Sequence, residues 1–120
     1  MTADQGCAHA IAVVIPCYRV ADKILGVLAG IGPEVTRVYV VDDACPEGSG
    51  TVVQARCTDP RVDVIFHVRN LGVGGAVISG YRRAIAQGAS IIVKLDGDGQ
   101  MDPAQLPRLV SPILSGAADY

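Results

Sequence analysis

Short apolar runs alternate along this chain with longer amphipathic stretches. Residues 10–15 (AIAVVI) are continuously apolar and stop at Pro16, the pattern of a strand buried on both faces. Ile24, Leu25 and Leu28 then fall at helical spacing over 21–29, with Gly30 and Gly32-Pro33 as the stop. Residues 38–41 (VYVV) predict a second strand, cut off by Asp42-Asp43, and a polar loop over 44–50 leads into a short helix around 51–56. A third strand is predicted at 62–68 (VDVIFHV). The loop 69–75 (RNLGVGG) opens a helix at 76–87, with Ile78, Tyr81 and Ile85 on one face and Gly88 as its end. Residues 90–95 (SIIVKL) predict a fourth strand, followed by Asp96-Gly97-Asp98-Gly99-Gln100. Asp102-Pro103-Ala104-Gln105 has the form of a helix start, with Asp102 as cap and Pro103 in the first helical position.

Strand and helix alternating in this way predict parallel pairing through right-handed crossovers, an α/β fold with helices flanking a mostly parallel sheet. Ligands of such sheets bind beyond the carboxyl ends of the strands. Each unusual cluster falls at one of those ends: Pro16-Cys17-Tyr18, Asp42-Asp43, residues 70–75, and residues 96–100. Folding should therefore gather an aromatic ring, four carboxylates and a glycine-rich backbone along one edge.

Composition narrows the classes. The 120 residues suit one domain, with 1–9 as a tail and 10–120 as the folded part. Half of the residues are hydrophobic, too many for a disordered chain. Ten basic against twelve acidic side chains give a net charge of -2, which argues against nucleic acid as a partner. No apolar run approaches the ~20 residues needed to cross a bilayer. Nothing before residue 10 has the basic start of a secretory signal. Cys7, Cys17, Cys45 and Cys57 are irregularly spaced, as reduced thiols of a cytoplasmic protein would be. His9 and His67 have no partner at metal-ligand spacing and read as structural.

Asp96 and Asp98 stand two apart between glycines, so in an extended segment both carboxylates face one way and Gln100 continues the direction. Such hard oxygen donors suit Mg2+ or Mn2+, although an Asp-Gly-rich turn facing solvent has the same composition. Asp42 and Asp43 are adjacent and point apart. One is expected to hydrogen-bond a base or ribose, the other to fix its own loop by accepting backbone N–H groups. Residues 70–75 imitate a dinucleotide fingerprint but lack its third glycine, where Val77 stands, and follow the third strand instead of the first. Gly80 reads as a close-packing position against the sheet. Tyr18 suits stacking on a base or packing at the rim, and neither Cys17 nor Cys45 has a neighbouring base in sequence to make it a nucleophile.

With these residues in place, the chain resembles the amino-terminal half of a family 2 glycosyltransferase domain of GT-A fold, close in pattern to dolichyl- and polyprenyl-phosphate sugar transferases. VVIPCY is similar to the family's opening strand and VYVVDDACPEGSG to its V-V-D-D-G-S loop. RNLGVGGAVISGYRRA is similar to its glycine-rich stretch, and IIVKLDGDGQMDPAQLPRL to its D-x-D-G-Q segment. The resemblance implies a Rossmann-like GT-A sheet and a donor site for a UDP- or GDP-linked sugar. Pro16, Tyr18, Val41 and Asp43 would line the nucleotide pocket, and Asp96, Gly97, Asp98 and Gln100 would contact the sugar diphosphate. Asp96, Asp98 and Gln100 would hold Mg2+ or Mn2+, and the acceptor would be a polyprenyl phosphate or a glycan.

Two departures stand out. Tyr18-Arg19-Val20 replaces the family's Tyr-Asn-Glu, and Ala44-Cys45-Pro46-Glu47 replaces its Gly-Ser-x-Asp. The family's later strands and acceptor-side residues are expected beyond Tyr120. Residues 1–120 alone should thus show little or no transfer, the catalytic base is unknown and expected among those later residues, and any attachment to the cytoplasmic face of a membrane would come from the same parts. A haloacid-dehalogenase-type phosphatase using Asp96 and Asp98, or a receiver-like signalling domain, are the alternatives from other classes.

Overall fold

Ile11 to Cys17 become a strand because every one of these residues has somewhere apolar to go. The computed structural model of the chain describes residues 10–97. Within them the order is β1 (Ile11–Cys17), α1 (Ile24–Ala29), β2 (Arg37–Asp42), α2 (Ser49–Arg56), β3 (Val62–Phe66), α3 (Gly72–Ala86) and β4 (Ile91–Lys94). The four strands form one sheet in the order β3-β2-β1-β4, every pairing parallel. β1 and β2 are central. Ile11, Val13, Ile15, Val38 and Val40 face α1 and α2, packing on Ile24, Val27, Leu28 and Val53. Ala12, Val14, Tyr39 and Val41 face α3 and meet Ala76 and Ala84. Helices on both faces explain why these strands read as unbroken apolar runs.

Helix α3 lies close to the sheet because its inner stripe is small: Ala76, Gly80 and Ala84, four residues apart, are all buried. A Cβ at position 80 would run into Val14 Cγ1, so glycine there serves the close packing expected of it.

Several boundaries differ from the sequence expectation. β1 continues through Pro16 to Cys17, where pairing with Val41 and Asp42 persists. The carbonyls of Ala10 and Val14 face β4, so by alternation the nitrogen of Pro16 faces that side too. The β1–β4 ladder ends at Val14–Lys94, and the N–H that proline lacks is not missed there. α1 starts at Ile24 instead of 21, after a turn in which the Val20 carbonyl accepts from Lys23 and Ile24. α3 starts at Gly72, four residues before the predicted 76, and β3 ends at Phe66, two before 68. The expected tail 1–9 and the helix start at Asp102 lie outside the described residues. No helix among the described residues is long and apolar enough to cross a membrane.

Candidate donor-binding site

The carboxyl ends of β1, β2 and β4 and the first turns of α3 enclose one cleft, lined by Pro16, Cys17, Tyr18, Val20, Asp43, Val73, Ala76, Asp96 and Gly97. Pro16, Tyr18, Asp43, Asp96 and Gly97, five of the residues singled out by sequence, therefore meet at one place. Val41 does not reach the cleft wall; it is fully buried in the layer beneath α3. Asp98 and Gln100 lie outside the described residues.

The two adjacent aspartates divide their work as an extended backbone requires. Asp42 turns back on its own loop: Oδ1 accepts the Cys45 N–H at 2.7 Å and Oδ2 accepts the Gly50 N–H at 2.8 Å. Both of its oxygens are thereby occupied in holding the loop between β2 and α2. Gly50 is needed for this contact, since a Cβ there would sit 2.7 Å from Asp42 Cβ. Asp43 points the other way, to the cleft. Its Oδ1 accepts the Leu71 N–H at 2.8 Å and lies 2.8 Å from His67 Nδ1. Burial pushes the Asp43 carboxyl up, but the hydrogen bonds from Leu71, His67 and Gly72 prevail and hold it below the ordinary carboxylate value.

Tyr18 presents its ring at the rim, 42% exposed, with the Arg19 guanidinium 5.5 Å from the ring centre. The turn that carries it is strained. Arg19 and Ala44 adopt φ of 60° and 55°, the left-handed region that favours glycine. The sequence substitutes Ala44 at the family's glycine, and the structure shows why glycine suits that position. The Arg19 N–H donates to Cys45 Sγ at 3.0 Å and the Val20 N–H to Ser49 Oγ at 3.2 Å, so the loop after β2 braces the loop after β1. Burial raises the Cys45 thiol, but hydrogen bonds from Ser49, Arg19 and Glu47 outweigh it and the net shift is downward. Cys17 under the cleft is pushed up to about 12 by burial, with Asp42 and Cys45 adding to it, so it is a protonated thiol and no nucleophile.

Asp96 stands just past β4 with 46% of its side chain exposed, and Lys94 Nζ lies 3.1 Å from its Oδ1. Gly97 beside it packs against the cleft floor: a Cβ there would come within 3.2–3.4 Å of Val20, Ile15 and Cys17. His67, which reads as structural from the sequence, instead borders the site: its partner, Asp43, is 24 residues away, beyond the reach of any local spacing.

Residues 12–120 match the family model described as "Glycosyl transferase family 2". The chain belongs to that family. Among family members similar to it, an undecaprenyl-phosphate mannosyltransferase of Micrococcus luteus is 38% identical over 104 residues, covering 83% of this chain and 42% of that protein. A polyprenol monophosphomannose synthase of Mycolicibacterium smegmatis is 33% identical over 110 residues, covering 88% and 41%. The chain thus spans less than half the length of these relatives. Among solved structures, TarS 1–349 of S. aureus in complex with UDP superposes with a TM-score of 0.69 at 20% identity, over 87% of this chain and 32% of that one. The family 2 match and this superposition make the fold GT-A, as the sequence motifs implied. Family membership also displaces the phosphatase and receiver readings.

Proposed function

We propose that this chain forms the donor side of a glycosyltransferase that passes a sugar from a UDP- or GDP-linked donor to a polyprenyl phosphate. The observation that carries the reading is the single cleft in which an exposed aromatic ring, an ionised buried carboxylate and an exposed carboxylate meet at the carboxyl edge of a parallel sheet. Tyr18 offers a stacking face for the base. Asp43, an acceptor without a proton, takes a hydrogen bond from a base N–H or a ribose hydroxyl. Gly97 lets the backbone come close to the diphosphate. The lipid acceptor is favoured over a glycan by the names of the two bacterial relatives.

Asp96, with Asp98 and Gln100 beyond it, would hold Mg2+ or Mn2+. Among the described residues no three His, Cys, Asp or Glu side chains gather into a closed metal cage. A cation of this class binds through one or two carboxylates and completes its shell with phosphate oxygens and water. Lys94 Nζ, 3.1 Å from Asp96 Oδ1, would have to release or share that oxygen when the divalent ion binds. When bound, the divalent ion supplies charge that neutralises the departing diphosphate. Around it the chain's own groups bind and orient the donor.

Titrating the protein with UDP, GDP and NADH, with and without Mn2+, tests this. Mn2+-dependent binding of a nucleoside diphosphate is expected, with NADH not bound. Asp96→Ala or Asp98→Ala should lower the Mn2+-dependent affinity at least about tenfold, as loss of a carboxylate ligand implies. Binding of the diphosphate that ignores both Mn2+ and these substitutions would overturn the metal assignment, and no diphosphate binding at all would overturn the donor site.

A further inference from the structure

Asp43 is gripped from outside its own loop. The His67 ring lies between two side chains, with Nδ1 2.8 Å from Asp43 Oδ1 and Nε2 2.7 Å from Ser79 Oγ on α3. Both members of the His67–Asp43 pair are nearly buried, with 9% and 5% of their side chains exposed. The His67 N–H donates to the Asp42 carbonyl at 2.9 Å, so the end of β3 is fixed to the end of β2. Asn70 Nδ2 adds a hydrogen bond to the Asp43 carbonyl at 3.1 Å. An ionised carboxylate only accepts, so Nδ1 carries a proton towards Asp43, while Nε2 meets the Ser79 hydroxyl, which can accept or donate. Leu71 N–H and His67 Nδ1–H thus converge on Oδ1, the Gly72 N–H also reaches the carboxylate, and no side-chain donor among the described residues takes Oδ2, which is the oxygen for a ligand.

We propose that His67, braced by Ser79, is a positioning residue for nucleotide recognition: it locks the Asp43 carboxylate in the orientation that offers Oδ2 to the cleft. The inference rests on the donor-site reading above. Its physical content is preorganisation. A carboxylate already immobilised by β3 and α3 gives up little rotational freedom when a nucleotide arrives, whereas a loosened one must be ordered during binding. The same brace ties Asp43 to the helix whose first turns supply Val73 and Ala76 to the cleft wall.

Calorimetric titration of the full chain with UDP and with GDP in Mn2+ tests the proposal. His67→Phe keeps a ring but removes both nitrogens, and should weaken binding about tenfold, the loss of one hydrogen bond to a charged group. His67→Asn restores a donor near the Nδ1 position and should stay within about threefold of wild type. Adding His67→Phe to Asp43→Asn should cost nothing further, because His67 acts through Asp43. Full affinity in folded His67→Phe, or losses that multiply in the double variant, would overturn the proposal. Should His67→Phe not fold, Ser79→Ala and the ring 15N signals of wild type decide: an Nδ1–H tautomer whose signal moves on UDP addition supports it. An Nε2–H tautomer, or a ring indifferent to UDP, overturns it. Wild-type protein that binds neither nucleotide defeats the donor-site reading as well, whereas normal binding by the His67 variants defeats this inference alone.

Discussion

At the amino end of the sheet Arg61 places its guanidinium on the carbonyls of Gly32 at 2.7 Å, Val35 at 3.0 Å and Ile31 at 3.1 Å. Its remaining N–H groups go to Asp59. At the carboxyl end Asp43 accepts from Leu71 and His67 on one oxygen and borders the cleft. Both ends have a depression in the surface, and Arg61 lines the one at the amino end. What separates them is saturation: all five guanidinium donors are used in tying the α1–β2 connection to the start of β3. Arg61 has none left for a ligand. The ends differ in backbone as well, because the two non-glycine residues with positive φ among the described residues, Arg19 and Ala44, both sit at the carboxyl end. Strain held in place by neighbouring hydrogen bonds is a mark of sites.

Substitutions can press on that contrast. The largest stability effect is expected from Arg61→Ala, which strands three carbonyls and the Asp59 carboxylate. With a quarter of the pair exposed, the cost should be about 2–3 kcal/mol, read from denaturant unfolding. UDP and GDP affinity of the folded fraction should not change; a loss there would mean that the two ends are coupled. Asp42→Ala follows at about 2 kcal/mol, because the part-buried N–H of Cys45 and the buried N–H of Gly50 lose their acceptor. Asp43→Asn should do the reverse of Arg61→Ala, lowering nucleotide affinity more than stability.

Asp43 also leaves a mark on acid unfolding. Its folded pKa lies below the unfolded one, so its stabilisation is complete above the unfolded value and fades as pH falls through the folded value. Urea midpoints followed from about pH 6 down to about pH 3 should drop less steeply in Asp43→Asn than in wild type. The smallest effect is expected from Ala44→Gly. Relieving the left-handed alanine should raise stability by about 0.5–1 kcal/mol, visible as a modest rise in melting temperature.

Element order and sheet class were legible because buried parallel strands write themselves as runs such as AIAVVI and VYVV, and because each run stops at a polar or glycine cluster. The division between Asp42 and Asp43 was legible from alternation alone, and so was the packing role of Gly80. The start of α3 was not. Three glycines between 72 and 75 carry the propensity of a loop, yet position 75 is helical, and glycine stands there because a Cβ would come within 2.6 Å of Leu71 Cβ. His67 was illegible for a different reason. Its meaning lies in contacts across 12 and 24 residues, which no local pattern encodes. Val41 shares the α3 face with Asp43 but stops one pleat short of the cleft, fully buried between the sheet and that helix.

The position of β1 in the sheet has a kinetic consequence. Of the four described strands it is made first, yet one of its two edges waits for β4, whose residues pair with it across 80 positions, Ile11 with Ile91. Until that distant segment emerges, a strongly apolar strand stands with a row of unmatched amides, an invitation to a second nascent chain. Closing so long a loop is slow. Synthesis in crowded conditions should thus reward anything that shields this edge early, and aggregation during expression should respond to substitutions in β4 more than to those in β3.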